Sequence, residues 1–174
     1  DSRLYLDKLQ VLNKFPEPLI QEKIKTYDEI IRLNENKQRE ELKTAYLEKA
    51  RLLNSTNQAE KAIECYDMLL AIEPDNISAL LEKNTLRRTY YGMGAYDDDI
   101  HNNQDSPDCY FNKGLALTVL EYYAQAYDCF DQAIDLYKLS DGKSKKMLCL
   151  AYLFRGQWFA ALKDFDEALI DYDQ

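Results

Sequence analysis

The segment DDDIHNNQD (97–105) is the place where hard-cation ligands cluster in the sequence, because it holds the single histidine, His101, among four aspartates. An imidazole and several carboxylates could together bind a divalent cation. Calcium loops, however, alternate their carboxylates around a glycine, and this segment contains no glycine. We therefore interpret it as a solvated acidic turn and predict no metal site.

The sequence contains neither a recognisable cysteine motif nor a catalytic motif. The four cysteines form no C-x-x-C pair and have no histidine-rich neighbours, which argues against a metal or redox motif; they are Cys65, Cys109, Cys129 and Cys149. We interpret them as small apolar helix residues in a reducing compartment, which predicts a cytoplasmic location. No phosphate-binding loop, nucleophile elbow or zinc-protease motif is present in the sequence, so we predict neither catalysis nor a cofactor.

Composition narrows the class of protein. Hydrophobic residues make up 46% of the chain, while only five glycines and four prolines are present, which favours a helical globular protein. The net charge of −9 disfavours nucleic acid and anionic lipid as partners. No apolar run approaches the roughly 20 residues that cross a bilayer. The first residues, DSRLYLDKLQ, lack a signal-peptide pattern and an initiator methionine, so we expect a piece of a longer protein.

Apolar and small residues recur with the same spacing in three segments. The steps between them are four, three, nine, four and three residues in the two fullest copies. The copies are Tyr46, Ala50, Leu53, Ala62, Tyr66 and Leu69; then Tyr110, Gly114, Leu117, Ala126, Phe130 and Ala133; then Cys149, Tyr152, Ala161, Phe165 and Ala168.

This spacing predicts pairs of antiparallel helices. Steps of three and four residues keep side chains on one helical face, and the step of nine crosses a turn. We expect the turns at 54–58, 121–123 and 155–157. Pro74 is placed to end the second helix of the first pair.

The pattern resembles the tetratricopeptide repeat, a helix-turn-helix unit of about 34 residues. The resemblance covers the segments 43–76, 107–140 and 142–174. It implies an all-α, right-handed α-solenoid of four to five repeats that form one domain over 1–174, since one helix pair cannot bury its own apolar face.

Two further segments complete this predicted array. Residues 3–37 read as a divergent first repeat, with the turn FPEP at 15–18, Tyr27 in the aromatic place and Glu35 where a proline would fall. Residues 77–105 read as a degenerate repeat that turns at GMG. The alternative for the latter is one helix followed by an acidic loop, about 92–106, that covers the groove.

In the family, first helices line a concave groove, which implies the candidate partner-binding residues. They are Phe111, Asn112, Leu115, Lys143, Lys146, Met147, Leu150 and Phe154. Two lysines at the edge of this apolar surface favour an acidic peptide or protein segment. Asn112 and Lys143 match two places of the carboxylate clamp of chaperone adaptors, but the other places do not match, so we predict no binding of chaperone tails.

The sequence therefore predicts a non-catalytic scaffold or adaptor that binds a protein segment in the groove. Two alternatives stay open at this point. The chain could be the repeat portion of a larger enzyme or sensor, or a module that forms a homodimer through its last repeat. Instead of contacting a peptide, Leu150, Leu153 and Phe154 would then bury against a further segment of the longer protein or against a second copy of the chain.

Overall fold

The computed structural model describes residues 2–14, 19–34, 39–140 and 144–174, and within these ranges the chain forms ten helices and no strand. The predicted all-α class is therefore confirmed. No helix within the described ranges has the length and apolar character needed to span a bilayer. The helices are α1 (Ser2–Leu12), α2 (Ile20–Asn34), α3 (Arg39–Ser55), α4 (Ala59–Ile72), α5 (Ile77–Tyr91), α6 (Gly94–Asn102), α7 (Pro107–Val119), α8 (Tyr123–Leu139), α9 (Lys145–Ala161) and α10 (Phe165–Tyr172).

The helices pack in chain order within two compact units, residues 1–79 and 80–174, whose boundary lies inside α5. In the N-terminal unit, α1 packs on α2, α2 on α3 and α3 on α4. In the C-terminal unit, α6 packs on α7, α7 on α8, α8 on α9 and α9 on α10. The single domain over 1–174 stays a prediction.

Three of the helix pairs turn in the same way. Asn57, Glu121 and Lys163 adopt the left-handed backbone conformation, with φ of 58°, 61° and 64°. The next residue in each turn donates its backbone N–H to a carbonyl five residues earlier, as Gln58 does to Leu53 at 2.9 Å. This is the Schellman arrangement, which satisfies carbonyls left open at a helix end. The three turns are thus structural equivalents.

The last turn lies at 162–164, so the predicted turn at 155–157 is wrong. Counted from the equivalent turns, the residue that matches Ala126 is Ala168, and not Ala161. Tyr152 and Gly156 match Tyr110 and Gly114 in the same way. The predicted register was displaced by seven residues. Seven residues are nearly two turns of about 3.6 residues each, so both registers place apolar residues on the same face.

Small residues let the two helices of a pair approach closely. A Cβ atom added to Gly114 would lie 2.7 Å from the Phe130 ring, and one added to Gly156 would lie 2.7 Å from the Tyr172 ring. At the equivalent place of the N-terminal unit, Ala50 is fully buried. A small residue thus approaches an aromatic ring in both of these helix pairs of the C-terminal unit.

The two divergent repeats also form helix pairs. The predicted first and second helices of 3–37 correspond to α1 and α2, while FPEP (15–18) and Glu35 lie outside the described residues. Residues 94–102 form α6, so the alternative of a single helix followed by a loop is wrong. Tyr96 of α6 is fully buried and donates its hydroxyl to the Asn84 carbonyl at 2.9 Å.

An ion pair joins neighbouring repeats at a recurring place. In each instance a basic residue near the middle of a first helix reaches an aspartate on the second helix of the preceding pair. The pairs are Lys49 with Asp28 (2.6 Å), Lys113 with Asp97 (2.6 Å) and Arg155 with Asp131 (2.5 Å). Arg155 also forms two hydrogen bonds to the buried carboxylate of Asp171.

Candidate partner-binding site

Five of the eight residues predicted to bind a partner are buried in the C-terminal unit. Phe111 and Leu115 are 0% and 1% exposed, and the other three are exposed by less than a tenth; those three are Met147, Leu150 and Phe154. Their side chains therefore contribute to the packed interior of the C-terminal unit.

Aromatic rings fill the space between the first helices α7 and α9. The Phe111 ring centroid lies 5.8 Å from that of Phe130 and 5.9 Å from that of Phe154. Phe130 and Phe154 stack with their centroids 6.0 Å apart. Such contacts are typical of a hydrophobic core, so this surface serves the interior of the unit.

The three remaining predicted residues have different surroundings. Asn112 is half-buried, and its side-chain oxygen accepts a hydrogen bond from buried Asn84 at 3.0 Å. Lys146 is exposed, and Lys143 lies outside the described residues. Their role as partner contacts stays a prediction.

The acidic segment 97–105 uses two of its carboxylates in ion pairs. Asp97 binds Lys113 at 2.6 Å, and Asp99 binds the Arg87 guanidinium. Among the described residues, no group of three histidine, cysteine, aspartate or glutamate side chains is arranged to hold a metal ion.

The four cysteines are free thiols in three kinds of environment. Cys65 and Cys129 are buried, and burial raises the pKa of both thiols. Cys109 is half-buried and Cys149 is exposed. The two buried thiols are thus held in their neutral form, as expected of small apolar packing residues.

An open cleft of about 440 Å³ lies in the N-terminal unit, between the first helices α1 and α3 and above α2. Its volume falls in the range of sites that hold small ligands or single side chains. It is lined by Leu6, Leu9, Gln10, Asn13, Tyr27, Ile30, Glu40, Glu41, Thr44 and Ala45.

The floor of the cleft is apolar and well packed. Leu9, Ile30 and Ala45 are each at most 5% exposed, and Tyr27 is also buried. Burial raises the pKa of the Tyr27 hydroxyl, so this group stays neutral at physiological pH. The floor therefore offers a fixed, uncharged surface to an apolar side chain.

The rim carries carboxylates and small polar groups. Glu40 lies 2.8 Å from the Lys43 ammonium, and its side chain is 86% exposed. Glu41 accepts a hydrogen bond from the side-chain amide of Asn34 at 3.1 Å. Hydrogen bonds to Glu40 and then to Glu73 raise the pKa of Lys43, which stays a cation. Glu40 and Glu41 thus place two carboxylates at the rim.

The sequence analysis missed this cleft because it sought apolar residues on first helices. The feature of the sequence that could have indicated the cleft is a set of polar residues. Gln10, Asn13 and Thr44 are polar residues that line the cleft. Medium-sized polar side chains on the first helices of two successive pairs therefore indicate an open site.

The repeats can be compared with known proteins. The family model described as tetratricopeptide repeat matches residues 44–76 and 107–138. No curated protein gives a significant match to the sequence.

Several solved structures resemble the chain. BtubC (BKLC) from P. vanneervenii is 15% identical over 90% of this chain and 71% of its own, with a TM-score of 0.50. TTC0263, a thermophilic TPR protein in Thermus thermophilus, is 15% identical over 98% and 86%, with a TM-score of 0.48. MamA from Desulfovibrio magneticus RS-1 is 15% identical over 99% and 91%, with a TM-score of 0.46.

The matched segments coincide with the helix pairs α3–α4 and α7–α8. In both pairs, the turn has the same backbone conformation and hydrogen bond. The chain therefore contains two tetratricopeptide repeats, at residues 44–76 and 107–138.

Proposed function

We propose that this protein is a non-catalytic scaffold that holds a segment of a partner protein in the cleft between α1 and α3. Arrays of helix pairs bind other proteins on their exposed surfaces, which supports an interaction module in general. The open, apolar-floored cleft of about 440 Å³ is the observation that supports this particular site.

The chemistry of the cleft defines the partner segment. An apolar side chain enters between Leu9 and Ile30, where it leaves water for a buried surface. A lysine or arginine next to it meets the carboxylates of Glu40 and Glu41 at the rim. The preferred segment thus has an apolar residue flanked by basic residues.

The prediction of an acidic partner concerns a different surface. It depends on Lys143 and Lys146 in the C-terminal unit, where the neighbouring apolar residues Met147 and Leu150 are buried. We give the N-terminal cleft precedence because a volume of about 440 Å³ is open above its apolar residues.

Three short fluorescein-labelled peptides separate these possibilities by fluorescence anisotropy. The first has a leucine flanked by two lysines, the second a serine flanked by lysines, and the third a leucine flanked by glutamates. We expect the first peptide to bind most tightly, because it alone satisfies both floor and rim. Tightest binding of the glutamate peptide would instead support the acidic-partner prediction and contradict this proposal.

Substitutions locate the bound peptide. Gln10→Trp fills the mouth of the cleft, whereas Val11→Trp places the same ring on an adjacent exposed residue of α1 that does not line it. Glu40→Lys reverses a rim charge, and Glu60→Lys makes the same charge change on the exposed surface of α4. We expect only the first member of each pair to weaken binding of the lysine-flanked leucine peptide. Equal effects of both members would contradict the site.

A further inference from the structure

The lysine next to the rim of the N-terminal cleft makes two ion pairs at once. The Lys43 ammonium lies 2.8 Å from a carboxylate oxygen of Glu40, which lines the cleft. It also lies 3.0 Å from a carboxylate oxygen of Glu73, the residue that follows α4. An ammonium has three donors, so both contacts form together. One cation is therefore shared between the cleft and the end of the neighbouring helix.

The two carboxylates hold this ammonium unequally. The side chain of Glu40 is 86% exposed, while those of Glu73 and Lys43 are 33% and 19% exposed. An ion pair on a solvent-exposed side chain is weak, because water screens it and because the side chain loses entropy when it is fixed. The contact with Glu40 is therefore the one that breaks more easily.

Glu73 is itself fixed by the turn that follows α4. Its second carboxylate oxygen accepts a hydrogen bond from the Asn76 side-chain amide at 2.7 Å. The Asn76 side-chain oxygen in turn accepts the backbone N–H of Ala79 at 3.0 Å. The hydrogen bonds from Asn76 and then from Lys43 lower the pKa of Glu73, so this group stays a carboxylate. Glu73 therefore offers a fixed anion to Lys43, independent of Glu40.

We infer that Lys43 determines how tightly the cleft binds the basic residue of its partner segment; this inference rests on the proposed function. In the free protein Lys43 occupies Glu40, a carboxylate that a lysine or arginine of the partner needs. When the partner binds, Lys43 gives up Glu40 and keeps Glu73, so no ammonium is left without a carboxylate. Lys43 thus competes with the partner, and Glu73 lowers the cost of that competition.

Removal of the competitor tests this role. Lys43→Met should tighten binding of the lysine-flanked leucine peptide about twofold to fivefold in the anisotropy assay, because Glu40 is then open to the peptide. The matched control is Lys49→Met, which makes the same change on the same helix and breaks an ion pair with Asp28 of 2.6 Å. Lys49 does not line the cleft, so we expect no tightening from this variant.

A double-mutant cycle tests the part played by Glu73. Glu73→Gln should weaken binding of the same peptide about twofold to fivefold, because Lys43 then stays on Glu40. In the Lys43→Met background the same substitution should have no effect, since no ammonium remains to be held. Glu60→Gln removes the same charge on the exposed surface of α4 and should leave binding unchanged in both backgrounds.

The outcomes separate this inference from the proposed function. Saturable binding that Lys43→Met does not tighten, or an equal loss from Glu73→Gln in both backgrounds, would overturn the inference and leave the cleft as the binding site. Equal tightening for a peptide with a leucine flanked by two glutamines would also overturn it, because that peptide has no cation to place on Glu40. Absence of saturable binding by the wild type and by Lys43→Met would contradict the proposed function, and the inference with it.

The shared ammonium is also tested without peptide. In proton–nitrogen correlation spectra of the side-chain ammonium groups of the free chain, the Lys43 signal should survive Glu40→Gln, because Glu73 still holds the ammonium. The signal should be lost on Glu73→Gln, because only the exposed carboxylate of Glu40 remains. The reverse pattern would show that Glu40 is the stronger partner of Lys43, and would overturn the inference whether or not the peptide binds.

Discussion

The space between successive first helices is open in the N-terminal unit and filled in the C-terminal unit. Between α1 and α3, polar residues such as Gln10 and Thr44 leave a cleft of about 440 Å³. Between α7 and α9, the rings of Phe111 and Phe154 pack 5.9 Å apart. The helix-pair plan is the same in both units, so side-chain volume decides whether first helices build a core or a binding site.

The largest test of this contrast is Phe111→Ala. Removal of a fully buried ring should lower the free energy of unfolding by about 3–5 kcal/mol, because a cavity remains in the aromatic cluster. Leu6→Ala, at the half-buried wall of the cleft, should cost about 1 kcal/mol or less. Urea unfolding followed by circular dichroism measures both; equal losses would show that the two spaces do not differ as described.

The second test compares one ion pair from each unit. Arg155→Met leaves the carboxylate of Asp171, which is 3% exposed, without its guanidinium and should cost about 3 kcal/mol. Lys49→Met removes the partner of Asp28, whose side chain is 51% exposed, and should cost less than about 1 kcal/mol. Thermal and urea unfolding of both variants provide the values, and a larger loss for Lys49→Met would contradict the assigned burial.

The third test uses the two glycines that approach aromatic rings. Gly114→Ala pushes against Phe130, which is buried and cannot move aside, so we expect a loss of about 2 kcal/mol. Gly156→Ala meets Tyr172, which is 44% exposed and free to shift, and it also approaches the Asp171 Cβ atom at 3.2 Å. The better helix propensity of alanine offsets part of these contacts. We expect a loss of about 1 kcal/mol or less for Gly156→Ala, and a loss equal to that of Gly114→Ala would show that Tyr172 does not shift.

The last test uses the pH dependence of stability in the C-terminal unit. Desolvation raises the pKa of Tyr96 to about 12 from an ordinary value of 10.0. The folded state therefore holds the proton more tightly, and its stability is complete below pH 10 and falls as the pH rises towards 12. Tyr96→Phe should flatten this fall in urea titrations, whereas Tyr122→Phe, at a site 57% exposed, should not.

Sequence reasoning identified the helix pairs because spacing alone determines which residues share a helical face. Tyr46, Ala50 and Ala62, for example, are all buried as the pattern predicts. The same reasoning misplaced the last repeat by two helical turns, because periodicity does not distinguish registers that present the same face. The spacing of Tyr152 and Gly156 repeats that of Tyr110 and Gly114, and this is the feature of the sequence that indicates the correct register.

The candidate site was harder to predict for a related reason. An apolar residue on a first helix can face either a groove or a neighbouring helix. The sequence around Phe111 or Leu115 does not distinguish these two positions. Their burial depends on how closely α9 approaches α7. The cleft depends in turn on packing between α1, α2 and α3, which no local pattern reports.

Nuclear Overhauser effects between the lysine-flanked leucine peptide and the isotope-labelled chain test the central claim most directly. The account predicts contacts from the peptide leucine methyl groups to the methyl groups of Leu9, Ile30 and Ala45 in the cleft. Contacts to Met147 or Leu150 instead, or none to the cleft at saturating peptide, would contradict it.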